Sequence, residues 1–225
     1  MLRLPELFVA SRTPDLPEPA PVLRRRRIVS AATLVCGSAL LAGTLSAPRG
    51  SGWFFAFGGL AAITWLVGGI SAGPLRWGHR AGMAGSPPPV LAPVLAGIGA
   101  FGVFLVADLV VRHLPVLSGA LGTVLAAADA GPRLAVLVLA LVNGLAEEVF
   151  FRGALYGALE PRRAGLYSTL VYAAVTIATM NVTLVIAALV MGTLWAVERR
   201  STRGILAPIL THTTWSALML LALPR

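Results

Sequence analysis

The chain has 225 residues, 57% of them apolar and only 12% charged, with a mean hydropathy of +0.83. A soluble domain carries about 25% charged residues, so an ordinary soluble globule and a disordered chain are both excluded. The net charge of +9 rests on 18 basic residues, all arginine, which in so apolar a chain mark the sides of a membrane and imply no nucleic-acid partner.

Residues 1–23 hold five prolines among mixed charges and read as a disordered cytoplasmic tail. Arg24–Arg27 then precede the apolar run Ile28–Ala47, which is long enough to cross a ~30 Å hydrocarbon layer. The run lacks a small-residue cleavage site and another apolar run follows at once, so it is a retained membrane helix rather than a signal peptide. Its cysteine, Cys36, is the only one in the chain, which leaves no disulfide framework and no cysteine metal site. Further spans are expected at Trp53–Ala72, Val90–Val111, Leu134–Phe151, Gly165–Met180, Val182–Val197 and Gly204–Leu223. Leu114–Ala130 is apolar but short and contains glycine, as an interfacial or re-entrant helix would, or half of an eighth span.

The expected architecture is an all-α, polytopic transmembrane helix bundle of seven spans, or eight if Leu114–Ala130 crosses. With seven spans and the N-terminus inside, fourteen arginines fall on the cytoplasmic side and four outside. That bias puts the N-terminus on the cytoplasmic side, and the expected location is a bacterial inner (plasma) membrane, crossed several times. Residues 24–132 then form N-terminal transmembrane helices and 133–225 a core that carries the chemistry. No internal repeat is visible, which weighs against inverted-repeat transporter folds.

Ionisable groups inside the spans are few. Asp108 lies one turn before Arg112 and reads as a helix-end pair, while His79 and His113 fall in solvated loops. The segment Asn143-Gly-Leu-Ala-Glu147-Glu148-Val-Phe-Phe-Arg152 is different. Each ionised glutamate costs on the order of 2.5–3.5 kcal/mol at mid-membrane, so the pair is expected to be partnered or used. Glu148 and Arg152, four apart, can pair on one helix face. Glu147 points about 100° away, stacked over Asn143, with no cation on its own helix. A carboxylate in that setting is a candidate general base. In the last span His212 and Ser216 share a face, and His212 lies roughly 14 Å along the helix from Arg203. Thr169, Tyr172, Thr176 and Thr179 make a polar stripe along the fifth span, a pattern more common in helix packing than in active sites.

Taken together, Glu147-Glu148-x-x-x-Arg152, the aromatic-led stretch Tyr172-Ala-Ala-Val-Thr176 and His212-x-x-x-Ser216 resemble the CAAX-protease and bacteriocin-processing (CPBP or Abi) family of intramembrane proteases. Phe-Phe-Arg-Gly-Ala-Leu-Tyr after the glutamates and Gly-Ile-Leu-Ala-Pro-Ile-Leu-Thr before the histidine agree with it. The resemblance covers about residues 134–223. It implies that the glutamate pair supplies the base that activates water, that the histidine of an F-x-x-x-H motif assists, and that H-x-x-x-N (or D) stabilises the oxyanion. Glu147 matches the base, Glu148 and Arg152 complete the first motif, and His212 matches the third. Two positions depart from the pattern: Thr176 stands at the second-motif histidine and Ser216 at the third-motif asparagine. The family has been described as metalloproteases. A divalent metal such as zinc would find Glu147 and His212 here, one ligand short of the usual three, since Glu148 is committed to Arg152.

The expected function is therefore an intramembrane endopeptidase cutting membrane-associated peptide or protein substrates with glutamate-activated water. Its catalytic set is Glu147, Glu148, Arg152, His212, Thr176 and Ser216, in a polar cavity opening to the cytoplasmic half. Two other readings stand beside it: a catalytically impaired pseudoprotease that binds or scaffolds membrane proteins, and a transporter component whose Glu147 and His212 relay protons. Serine, aspartyl and zinc-helix intramembrane signatures (G-x-S-G, G-x-G-D, H-E-x-x-H) are absent from the sequence.

Overall fold

Apolar runs separated by proline, glycine and a few capping residues become helices that bury one face against each other and leave the other bare. A computed structural model describes residues 18–79, 86–129 and 131–222. Among them are α1 (Ala20–Ser46), α2 (Gly52–Ala72), α3 (Leu91–Val111) and α4 (Pro115–Ala128). Then come α5 (Arg133–Ala158), α6 (Ala164–Ile177), α7 (Val182–Thr202) and α8 (Leu206–Ala222), and no strand occurs among the described residues. Helices α1, α2, α3, α5 and α7 are long and apolar enough to cross a membrane, while α4, α6 and α8 are shorter apolar helices. Val35, Ile63, Val103 and Val106 turn outward and are more than half exposed, a surface that suits lipid and not water.

Local chemistry sets several ends. Pro21 sits in the first turn of α1, where its missing N–H costs nothing. Ala20–Leu23, read from the sequence as the end of the tail, are therefore helical; the rest of that tail up to residue 17 lies outside the described residues. Ser51 caps α2 by accepting from the Phe54 N–H at 3.2 Å, and Asn181 caps α7 by accepting from the Leu184 N–H at 3.1 Å. The Asn181 amide also donates to the Ala120 carbonyl and the Thr123 hydroxyl, both at 2.8 Å, which ties α4 to the start of α7.

One end of the bundle gathers the N-termini of α1, α3 and α8 with the C-termini of α2, α5 and α7. There Arg26 donates to the Pro74 carbonyl at 3.0 Å, Arg27 to the Ala158 carbonyl at 3.2 Å, and the Leu206 N–H to the Trp77 carbonyl at 3.3 Å. Arg24–Arg27, Arg76, Arg199, Arg200 and Arg203 all belong to this end. At the other end lie the C-terminus of α3, both termini of α4 and the start of α5. The aromatic core sits between α1, α2 and α5, where Trp65, Phe150 and Phe151 are buried ring against ring at 4.9–5.2 Å. Asp108 and Arg112 form the expected helix-end pair at 2.5 Å.

Candidate active site

Helix α5 does not stop at Phe151. After Glu148 it widens into π-helical turns over Val149–Leu155 and closes with Tyr156–Ala158. Glu147 and Glu148 therefore lie roughly 15 Å along the helix from its end, and not at the end of the span as Leu134–Phe151 would put them. Arg152, counted from sequence among the cytoplasmic-facing arginines, is wholly buried with Glu148. The widened coil leaves the Arg152 carbonyl to accept from Arg199 Nε at 2.9 Å; such bulges are frequent at functional sites.

The expected Glu148–Arg152 pair is present, with Nη1 donating to Oε1 at 3.1 Å. Arg152 Nη2 donates to the Gly192 carbonyl at 3.1 Å, and its guanidinium carbon stands 5.0 Å from the ring centroids of both Tyr172 and Trp195. Glycine at 192 permits this approach, because a Cβ there would come within 3.1 Å of both Arg152 Nη2 and Thr169. The same carbonyl accepts the Thr169 hydroxyl at 3.0 Å, so Thr169 packs α6 on α7.

His212 is not the isolated group that its own helix implied. Its Nδ1 lies 3.0 Å from Glu148 Oε1, the oxygen that also accepts Arg152. Its ring stacks on the Trp195 indole with centroids 3.9 Å apart and planes at 17°. On its other side the bare backbone of Gly144 gives room, since a Cβ there would sit 3.2 Å from Cδ2 and Nε2. Glu147, which has no cation on its own helix, accepts the Tyr172 hydroxyl on Oε2 at 2.8 Å. Its other oxygen accepts no hydrogen bond from any described residue.

Glu147, Tyr172, Thr176 and His212 line one cavity of about 240 Å³, together with Asn143, Thr179 and mostly apolar residues such as Leu41, Leu45, Leu184 and Met191. Those leucines belong to the end of α1 and the start of α7. The cavity thus reaches into the half of the bundle away from the arginine-rich end. Glu148 and Arg152 stand behind the wall, and Ser216 is not among the lining residues, which α8 supplies as His212 and Trp215. Thr176 donates its hydroxyl to the Tyr172 carbonyl at 2.8 Å, so its proton is spent within its own helix.

The donors do not suit a catalytic zinc. No group of three His, Cys, Asp or Glu converges among the described residues. Glu148 Oε1 is shared by Arg152 and His212, which leaves Glu147 and His212 where three protein ligands are usual. Sequence reasoning also missed Glu198, wholly buried near the end of α7 and bonded through Oε1 to the Thr211 hydroxyl at 2.6 Å.

Residues 129–218 match the family model described as type II CAAX prenyl endopeptidase, Rce1-like. That stretch contains every group of the cavity's polar wall, and it is the same family of intramembrane proteases to which the three motifs point. No curated protein and no solved structure matches the chain.

Proposed function

We propose that the protein is an intramembrane endopeptidase in which Glu147 activates the water that attacks a substrate amide. The observation that carries this is the meeting of Glu147 and His212, from α5 and α8, on the wall of one cavity inside an apolar bundle. Burying two such groups is costly unless they are used together. Ionised Glu147 and Glu148 are balanced by Arg152 and a protonated His212, so the cluster is electroneutral in that form. In it, Nδ1–H of His212 points to Glu148 and Nε2–H is left for the substrate.

The free oxygen of Glu147 takes a proton from water as the hydroxide oxygen bonds to the carbonyl carbon. The carbonyl oxygen becomes an oxyanion and accepts from His212 Nε2–H. Glu147 then passes its proton to the amide nitrogen, the C–N bond breaks, and the new carboxylic acid gives its remaining proton to the amine, so that carboxylate and ammonium leave. The wall around Glu147 is largely apolar, so the segment held there is an apolar stretch of a membrane-associated peptide or protein. Residues 133–225 supply the catalytic core of a chain that crosses an inner membrane seven times with its N-terminus cytoplasmic. Helix α4 begins and ends at one face of the bundle and does not cross.

A second reading is favoured by one observation: Thr176 stands at the position of the second-motif histidine and spends its proton on the Tyr172 carbonyl. A pseudoprotease would bind such segments without cutting them. Glu147→Gln keeps the side-chain shape and removes the base. A peptidase loses roughly 10²–10⁴-fold in turnover with the fold intact, whereas a pseudoprotease keeps its cellular phenotype and its partner binding.

A further inference from the structure

We propose that Tyr172 is the positioning residue of Glu147, doing through its hydroxyl what position 176 cannot do in this chain. This rests on the peptidase reading above. A base on a long side chain works only if one oxygen is held toward the water and the other is held back. Tyr172 O–H fixes Glu147 Oε2 at 2.8 Å and leaves the second oxygen as the one that meets water.

The phenol is itself held. Its ring meets Phe151 edge-on at 4.9 Å and 71°, and Trp195 at 5.9 Å and 68°. The guanidinium of Arg152 lies 5.0 Å from its centroid. A ring held by three groups at these distances has little freedom to swing away from Glu147. Thr176, one turn further on the same helix, lines the same cavity but donates back to the Tyr172 carbonyl. Its hydroxyl is therefore turned toward its own backbone, and the only described side chain that donates to Glu147 is Tyr172. The F-x-x-x-H pattern of the resemblance has phenylalanine, without a hydroxyl, where the aromatic here is Tyr172, so this chain has a phenol at 172 and lacks the imidazole at 176.

The test uses the full chain in lipid nanodiscs with two probes, an internally quenched peptide ending in Cys-aliphatic-aliphatic-X and its farnesylated form. Tyr172→Phe keeps the ring and its packing. It is expected to lower kcat about 10- to 100-fold with KM within about twofold. In a Glu147→Gln background it is expected to change nothing further, because it acts through Glu147. Tyr172→Phe with Thr176→His, which restores an imidazole one turn away, is expected to recover most of the loss. Independent, multiplying effects of Tyr172→Phe and Glu147→Gln, or a double variant no better than Tyr172→Phe alone, overturn the proposal. Infrared difference spectra give a readout without turnover. Tyr172→Phe should shift a carboxyl band that Glu147→Gln removes, and an unmoved band overturns the proposal even if neither probe is cut. Full turnover by Glu147→Gln would instead sink the peptidase reading, while the infrared shift still reports the Tyr172–Glu147 bond.

Discussion

His212 and Arg152 approach the same atom: Nδ1 of the one and Nη1 of the other lie 3.0 and 3.1 Å from Oε1 of Glu148. One carboxylate thus serves two helices, locking α8 to the middle of α5 and orienting the imidazole toward the cavity. A buried carboxylate shared in this way is stable only while its partners remain.

Arg152→Ala removes the cation and leaves Glu148 to His212 alone. Losing one partner of a buried pair costs about 3–5 kcal/mol, so the variant is expected to accumulate poorly in the membrane and to melt well below wild type in detergent. Adding Glu148→Gln removes the stranded charge and should restore part of the loss. The restoration is incomplete, because the Gly192 carbonyl and the faces of Tyr172 and Trp195 still lose the guanidinium. Thermal unfolding of the two variants side by side decides the point; equal melting would show that the two residues act separately.

Glu198 predicts a stability effect away from the cavity. Its Oε1 accepts the Thr211 hydroxyl at 2.6 Å, and its Oε2 has no hydrogen-bond partner among the described residues. Thr211→Val keeps the shape but leaves this buried carboxyl without its donor, at a cost of about 1–3 kcal/mol. Thr211→Ser keeps the hydroxyl and should lie closer to wild type. Melting temperature should fall in the valine variant while KM for a cleaved probe stays put.

The helices were legible because hydropathy and length alone define them; their ends differ from expectation by five residues or fewer except at the start of α1, which begins eight residues early, and at the end of α5, which runs seven residues on. In α5, Arg152 and Gly153 resemble the polar start of a loop, yet Arg152 is held inside the bundle by Glu148, the Gly192 carbonyl and two rings. Glu198 was hidden for a similar reason, since Glu-Arg-Arg after an apolar run reads as headgroup charge. Spacing of four residues disclosed Glu148–Arg152. No spacing could disclose Glu148–His212 or Glu147–Tyr172, which join residues 64 and 25 positions apart on different helices. Tyr172 was visible as part of a polar stripe, but which of its members meets a carboxylate depends on how α6 rotates against α5.

Metal removal is a further check. With Glu148 shared between Arg152 and His212, only Glu147 and His212 remain as ligands, one short of a usual catalytic site. Turnover of a cleaved probe is expected to survive prolonged EDTA or 1,10-phenanthroline treatment. Loss on chelation, restored by zinc, would require that Glu148 be released from its two partners.

Topology can be tested at both ends of the chain. Helices α1 and α8 both start at the arginine-rich end and finish at the other. With that end taken as cytoplasmic, the side our proposal assigns it from the arginine bias, a reporter fused before Met1 should be cytoplasmic and one fused after Arg225 should be outside. A cytoplasmic signal from the C-terminal fusion would mean that α4 crosses as an eighth span.

The sharpest prediction separates the two nitrogens of His212. Nδ1 holds Glu148 at 3.0 Å, whereas Nε2 lies beside Gly144 and is the atom assigned to the oxyanion. Asparagine places its amide near the Nδ1 position and glutamine reaches toward Nε2. His212→Asn should therefore keep the link to Glu148 and most of the stability, but lose about 10²–10³-fold in kcat, as removal of an oxyanion donor does. His212→Gln should keep more turnover and lose stability instead, by about 1–3 kcal/mol for the abandoned buried acceptor. Melting curves and kcat measured on both variants give four numbers. A packing role for the histidine predicts that both variants fall together in stability, with turnover following the folded fraction. The crossed pattern is expected only if one nitrogen builds the fold and the other meets the substrate.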